Sequence, residues 1–441
     1  MRKTFTPPSR RNFIKNASLA SGAFLGFPMI LRSQTLGDAD KAAANSRIGM
    51  GFIGTGLISK GHLASFPGIA DVQPVAVCDV RDSMRRKAIK GLKKKGFTDL
   101  KSTPRYEEIM EDPSIDVVVI MTPDHWHAAL AIEAMKAGKD VYVEKPMALT
   151  IEEGKAVVAA EKKYGRIVQV GSQQRSSPHF RIAANLVRNG VIGEVNEIYC
   201  RLGNFPQPPK NPEIVPVPDG FDYDRWLGPA PYHAFSKNRV QQKYGGGWRC
   251  YWDYGNRKFG DWGAHHFDIV QWALGRDDTG PVRFVPKGFE GATHHHFQYA
   301  DGKTVWRDKG SAKHPSSSGK EPKDVMIRFV GSEGEVRVSR GMIHTSPDEL
   351  RRYRFTDSDI QVYNSSNHRK NFIDCVKTRK KPICPATVGH RSGTICSLAA
   401  IAEQTGRSIE WDPVGEQIKG DLEAQAMQSR ERRPGYELPR V

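Results

Sequence analysis

The chain has 441 residues, 38% of them hydrophobic, with 42 glycines and a formal charge of +17. That length supports two or three domains with sizeable cores, and that apolar content excludes a globally disordered chain. Positive charge first suggests nucleic acid, but residues 1–40 hold six basic and two acidic side chains. The +13 that remains is scattered over 93–95, 351–352, 379–381 and 430–433 without a recognition motif. No nucleic-acid partner is expected; the basic faces read as solvated surface with some attraction for anions.

The chain begins with an address. Ser9-Arg10-Arg11-Asn12-Phe13-Ile14-Lys15 resembles a twin-arginine signal, and the mildly apolar stretch 17–31 behind it is broken by Gly22, Gly26 and Pro28. It is too short and too interrupted for a membrane span. The expectation is export of a folded protein to the periplasm, without stable membrane insertion, residues 1–44 being signal and linker with cleavage set near Ala44. The six cysteines form no C-x-x-C pair, so neither a disulfide framework nor a zinc site is expected.

Residues 48–53 form a strand running into Gly54-Thr55-Gly56-Leu57-Ile58-Ser59 and a helix. This is a dinucleotide fingerprint with serine in the third glycine position, where glycine only eases helix–strand packing. A second strand, 72–78, ends in Asp79, placed to bind ribose hydroxyls and to favour NAD over NADP, a preference that Arg81 weakens. Helices follow at 85–94 and 105–111, then a buried strand at 115–121 with Thr122, Asp124, Trp126 and His127 at its carboxyl end. The Ala-rich helix behind it closes at Gly138. Strand 141–143 ends in Glu144-Lys145-Pro146, helix 151–164 comes next, and strand 167–170 closes the alternation. Strand and helix alternate over roughly 125 residues, a doubly wound parallel α/β domain assigned to 45–170.

From Gly171 the pattern changes. Gln173 and Arg175 follow the fifth strand, and helix 178–188 leads to strand 195–202. Residues 203–247 lack periodicity, and a stretch that long is usually functional or a lid. Strands return at 282–285, 304–306, 325–330 and 335–338, with helices at 370–377 and 390–405. Residues 171–430 therefore read as an α+β domain on a mostly antiparallel sheet, and 431–441 as an extended tail. Residues 260–275 read as a helix capped by Asp261 and stopped by Gly275, with Asp261, His265 and Asp268 on one face.

Together the Gly-x-Gly turn, Asp79, Thr122-Pro123 with His127, Glu144-Lys145-Pro146 and Asp261-x-Gly263-x-His265-x-x-Asp268 resemble the Gfo/Idh/MocA oxidoreductases, named for glucose–fructose oxidoreductase and inositol dehydrogenase. The resemblance covers nearly all of the chain after residue 46. It implies a Rossmann domain binding NAD, less readily NADP, and a sugar, polyol or derivative over the open sheet of the second domain. Carried over, Lys145 polarises the reacting oxygen and His265 moves its proton, with Asp261 beside them. The residue types suit these roles, because histidine titrates near neutrality and an ammonium stabilises an alkoxide. Gly54, Gly56, Leu57, Ile58, Asp79, Thr122, Asp124, Trp126, His127, Glu144, Lys145 and Gln173 are expected around the cofactor. Arg175, Trp252, Tyr254 and His266 are expected around the substrate, with no metal despite His294-His295-His296.

The expected activity is hydride transfer between a carbohydrate hydroxyl and a tightly held nicotinamide cofactor, re-oxidised or re-reduced by a second carbohydrate. An alternative is a glycosidase of the same fold acting by transient oxidation at C3. The exported N-acetylgalactosaminidase-like branch shares the signal and the His127 region, whereas Lys145 argues for net dehydrogenation. A third reading is a non-catalytic sugar-binding protein. The exposed sheet typical of the family suggests a homo-oligomer.

Overall fold

The computed structural model describes residues 47–310 and 325–441; the expected export signal lies outside them. β1 (Ile48–Ile53) sits at the middle of a six-stranded parallel sheet with β2 (Val72–Cys78), β3 (Lys101–Thr103), β4 (Val117–Ile120), β5 (Asp140–Val143) and β6 (Val168–Val170). The strand order is β3-β2-β1-β4-β5-β6. The pleat sends alternate side chains to opposite faces. Met50, Phe52, Val117, Val119 and Tyr142 pack on one side, and Ile53, Val118, Ile120, Val141 and Val143 on the other.

Five helices join these strands: α1 (Ser59–Ser65), α2 (Asp82–Lys93), α3 (Tyr106–Glu111), α4 (Asp124–Lys136) and α5 (Ile151–Tyr164). α5 has strong local signals. Thr150 and Glu153 form a reciprocal capping box, and Gly165 ends the helix in the left-handed conformation. Chain order reverses between β1 and β4, so the crevice beyond their carboxyl ends is open to a ligand.

After α6 (Pro178–Arg188) the chain enters a nine-stranded sheet at β7 (Val195–Cys200), followed after a long excursion by α7 (Ala264–Leu274). The other strands are β8 (Arg283–Val285), β9 (His296–Gln298), β10 (Thr304–Arg307), β11 (Ile327–Gly331), β12 (Glu335–Ser339), β13 (Met342–Ser346), β14 (Ile409–Asp412) and β15 (Gln417–Lys419). Their order is β13-β12-β11-β7-β10-β9-β8-β14-β15. Only β7 and β10 run parallel among the paired strands described. α6, α7 and α9 (Ala386–Thr405) share one buried core with Ile198, Val305, Ile327 and Phe329 of this sheet.

α8 (His368–Thr378) does not stay with the second sheet. It returns to the parallel one, where Phe372 and Ile373 join Met50, Phe52 and Tyr142 in a single cluster. Asn367 caps it by accepting from the Lys370 amide.

The segment expected to lack periodicity is a strap across the first domain. It holds two short helical turns, Tyr223–Leu227 and Lys237–Val240, and an aromatic cluster including Tyr223, Trp226, Phe235, Trp248 and Tyr254. Backbone bonds tie it to the end of β2: Asp82 N–H donates to Gly220 O at 2.8 Å, and Asp222 N–H donates to Val80 O at 3.0 Å. The C-terminal tail is anchored to the strap along one side. Arg433 donates to Gly228 O at 2.7 Å, and Tyr436 meets the Trp126 ring at 5.7 Å. Among the described residues, no helix is long and apolar enough to cross a membrane.

Candidate active site

Two adjoining spaces open at the carboxyl ends of the parallel strands. The first is a cleft lined by Gly54, Gly56, Leu57, Asp79 and Trp126, covered from the strap side by Val240 and Gln242. Gly54 has φ +83°, and a Cβ there would lie 2.8 Å from the Met121 carbonyl carbon, so the turn has no room for a side chain. Asp79 is fixed at the strand end: one oxygen accepts from Thr55 N at 2.7 Å and Thr55 Oγ1 at 2.9 Å, the other from Arg81 N at 2.9 Å. The Arg81 guanidinium donates to Val240 O at 3.0 Å and lies over the Phe221 ring, which fastens the strap beside the cleft.

The second space is a cavity of about 600 Å³ lined by Asp124, Glu144, Lys145, Asp261 and His265. It shares Ile58, Thr122, Trp248 and Arg249 with the cleft, so one elongated ligand reaches both. Lys145 Nζ donates to the Asp261 carbonyl at 2.7 Å and to its carboxylate at 3.2 Å. His265 is buried, and its Nδ1 has no hydrogen-bond partner. Burial, then the nearby charges of Lys145 and Arg340, hold the ring well below the usual histidine range, so it is neutral near pH 7. Asp124 is buried at 7% exposure and pushed up to about 8 by desolvation, against the pull of Arg249 and Lys145.

Glu144 belongs to a relay. His62 Nε2 lies 2.8 Å from one carboxylate oxygen, and Gln173 Nε2 donates to the same oxygen at 2.7 Å. Arg369 Nε donates to His62 Nδ1 at 3.1 Å, which places the ring proton on Nε2, facing Glu144. Burial raises the Glu144 pKa, but the hydrogen bond from His62 and the nearby charge of Lys145 outweigh it and hold the carboxyl below its ordinary value. His127 lies 2.7 Å from Pro146 O and 2.8 Å from Thr122 O, bridging the ends of β4 and β5. Burial lowers its pKa, and a neutral ring donates to only one of those two carbonyls.

Several expectations are corrected. Asp261 does not cap α7. It lies in a π-helical turn, Phe259–Gly263, where the Ala264 amide reaches back five residues to Phe259 O. That extra residue offsets the register, so Asp261 turns to Lys145 while Asp268 turns away, accepting from Arg175 at 2.8 Å and Ser392 at 2.8 Å. Arg175 is a buried structural cation shared by Asp268 and Asp277, not a cavity residue. Tyr254 is fully buried in the strap's aromatic cluster. Trp252 lies under the Arg430 guanidinium in a separate groove, and His266 packs behind Trp262 at 5.4 Å between rings. The half-exposed face of the second sheet, with Glu197, Tyr199, Trp306 and Arg328, does not line the cavity. The wall on that side is instead the β12–β13 turn, with Arg340, and the π turn, with Trp262.

Sequence reasoning missed His62, Arg249, Arg257, Trp262, Arg340 and Arg369. Each is remote in sequence from the recognised motifs or has no spacing that marks it. The three consecutive histidines diverge: His294 bonds Thr293, His295 faces Glu403 and His296 stacks near Trp306.

The residues present fit a dinucleotide. Gly54, Gly56 and Asp79 line the cleft together, and Thr122 Oγ1 is buried without a partner where cleft and cavity meet. Comparison with known proteins agrees. Residues 48–172 match the oxidoreductase family's NAD-binding Rossmann fold, and residues 207–438 match that family's C-terminal alpha/beta domain. A glycosyl hydrolase family 109 protein of Shewanella baltica is 31% identical over 201 residues, 42% of this chain and 44% of that protein. An inositol 2-dehydrogenase/D-chiro-inositol 3-dehydrogenase of Lactiplantibacillus plantarum is 31% identical over 184 residues, 40% of this chain and 51% of that one. The chain thus spans about half the length of these relatives. Among solved structures, the aldose-aldose oxidoreductase of Caulobacter crescentus superposes with a TM-score of 0.57 at 18% identity, over 82% of this chain and 99% of that one. With a C-terminal model covering more than half its length and a Rossmann model before it, the chain belongs to the Gfo/Idh/MocA oxidoreductase family.

Proposed function

We propose that this oxidoreductase transfers a hydride between a secondary hydroxyl of a sugar, polyol or glycoside and a nicotinamide cofactor held in the Gly54 cleft. One observation carries the reading: Lys145 and His265, 120 positions apart, line one cavity that opens onto that cleft. When bound, the nicotinamide supplies the hydride acceptor. Lys145, anchored by Asp261, donates to the substrate oxygen and stabilises alkoxide character on it. His265, neutral and lining the same cavity, takes the hydroxyl proton. The Asp79 carboxylate favours a ribose 2′-hydroxyl over a 2′-phosphate, hence NAD over NADP.

The strap covers one side of the cleft, which suits a cofactor kept through turnover and regenerated by a second carbohydrate. The twin-arginine pattern supports work in the periplasm, where little free nicotinamide is available. The half-exposed face of the second sheet is the surface we assign to self-association. The test is incubation with a glycoside panel, reading keto products by mass spectrometry and bound nucleotide by absorbance. A purified exported protein carrying no nucleotide would sink the retained-cofactor reading.

A second reading, hydrolysis by transient oxidation, is favoured by the similarity to a family 109 glycosyl hydrolase. Release of nitrophenol from aryl glycosides with no net change in NADH would select it.

A further inference from the structure

The cavity wall carries more positive charge than its own carboxylates use. Besides Lys145, it is lined by Arg249, Arg257, Arg340 and Arg369. Three carboxyl groups face the same space, and two are engaged: Asp261 with Lys145, and Glu144 with His62 and Gln173. The third, Asp124, makes no ion pair among the described residues, and desolvation pushes it up to about 8.

Three of the arginines donate hydrogen bonds only to neutral groups and form no close ion pair among the described residues, although Asp261 and Glu144 lie near enough to act on Arg340. Arg257 donates to Gln207 Oε1 at 2.6 Å and Phe205 O at 3.3 Å. Arg340 donates to Gln174 Oε1 at 3.3 Å and lies 5.1 Å from the Trp262 ring centre. Arg369 donates to His62 Nδ1 at 3.1 Å. Elsewhere the chain pairs such groups with carboxylates, as in Arg175 with Asp268, Arg225 with Glu107 and Arg379 with Asp140. Arg257 also has φ +50°, an unfavourable conformation for a residue with a side chain, and such strain gathers at binding sites. A concave site with an excess of one sign of charge focuses its field on the ligand that enters.

We propose that the sugar taken up by the Lys145–His265 cavity is anionic, its carboxylate or phosphate held by the field of Arg257, Arg340 and Arg369. Guanidinium groups suit both anions because their forked donors match two oxygens at once. The inference rests on the proposed oxidation of a hydroxyl at this same site.

The test is calorimetric titration of the nucleotide-loaded protein with matched methyl glycosides, methyl glycosiduronates and methyl glycoside 6-phosphates. All three are prepared in the gluco, galacto and manno series. In at least one series an anion should bind at least tenfold more tightly than its neutral counterpart, and the advantage should shrink with added salt. The uronate and phosphate arms identify which anion is read. Arg257→Gln and Arg340→Gln, each alone, should erase most of that advantage while circular dichroism and bound nucleotide stay unchanged. Equal binding of neutral and anionic members in every series, or no binding of any anion, overturns the proposal. So does an advantage that survives both substitutions. Absorbance at 340 nm separates the two claims: anions that bind without being oxidised refute the oxidoreductase reading alone. Neutral glycosides that bind as well as the anions and are oxidised refute this one alone.

Discussion

Asp124→Asn isolates one buried proton. Asp124 is the first residue of α4, is 7% exposed, and is pushed up to about 8 mainly by desolvation. In the unfolded chain an aspartate ionises near pH ~4. Between about pH 4 and pH 8 the folded protein therefore keeps a proton that the unfolded chain has released. The sign follows: stability falls as pH rises through that window, by ~1.4 kcal/mol for each pH unit. At pH 7 the deficit is ~4 kcal/mol, a large share of the stability of an ordinary domain. Asparagine has no such proton, and every other titration is common to both chains. The stability difference, variant minus parent, should thus grow by ~4 kcal/mol from pH 4 to pH 7 and level off above pH 8. Urea unfolding followed by tryptophan fluorescence at each pH measures it. A difference that stays flat across the window would mean that Asp124 is ionised in the fold, and the reasoning would be refuted.

Lys145→Ala and His265→Asn should each lower kcat by about 10²–10⁴ with bound nucleotide retained, as seen in single-turnover cofactor reduction. Because His265 is held below the usual histidine range, the acid limb of kcat should lie below pH ~6.5 in a pH–rate profile. Arg175→Ala should destabilise by ~3–5 kcal/mol in urea, by stranding buried Asp268 beside Asp277, and leave KM nearly unchanged. Gly228→Ala should loosen the strap, since the new Cβ would fall 2.2 Å from the Trp126 ring. The expected result is faster loss of nucleotide on gel filtration; retention equal to the parent's would disconnect the strap from the cofactor.

The parallel domain was legible because its signals are local. Continuous apolar strands, the Gly54 turn and the capping box before α5 each occupy a few adjacent residues. Lys145 and His265 were legible as motifs, and the cavity they share is a product of tertiary folding. What could not be read depends on distant packing. Arg175 sits beside Gln173 in sequence, but only the fold shows Asp268 and Asp277 closing around it. The π turn at Phe259–Gly263 shifts the helical register without a compositional mark, which is why Asp261 and Asp268 were placed on one face. Short strands such as His296–Gln298 and Gln417–Lys419 give too few residues for a period to show. The strap has no repeat because aromatic stacking and single backbone bonds hold it.

The return of α8 to the parallel sheet bears on how this protein can be cut or recombined. A fragment ending near residue 172 would include every strand of that sheet and lose Phe372 and Ile373, which cover Met50, Phe52 and Tyr142. Water would then meet an apolar surface that the intact chain keeps dry, and such fragments are prone to aggregate. Grafting the nucleotide-binding half onto another partner therefore calls for transplanting a helix encoded some two hundred positions downstream.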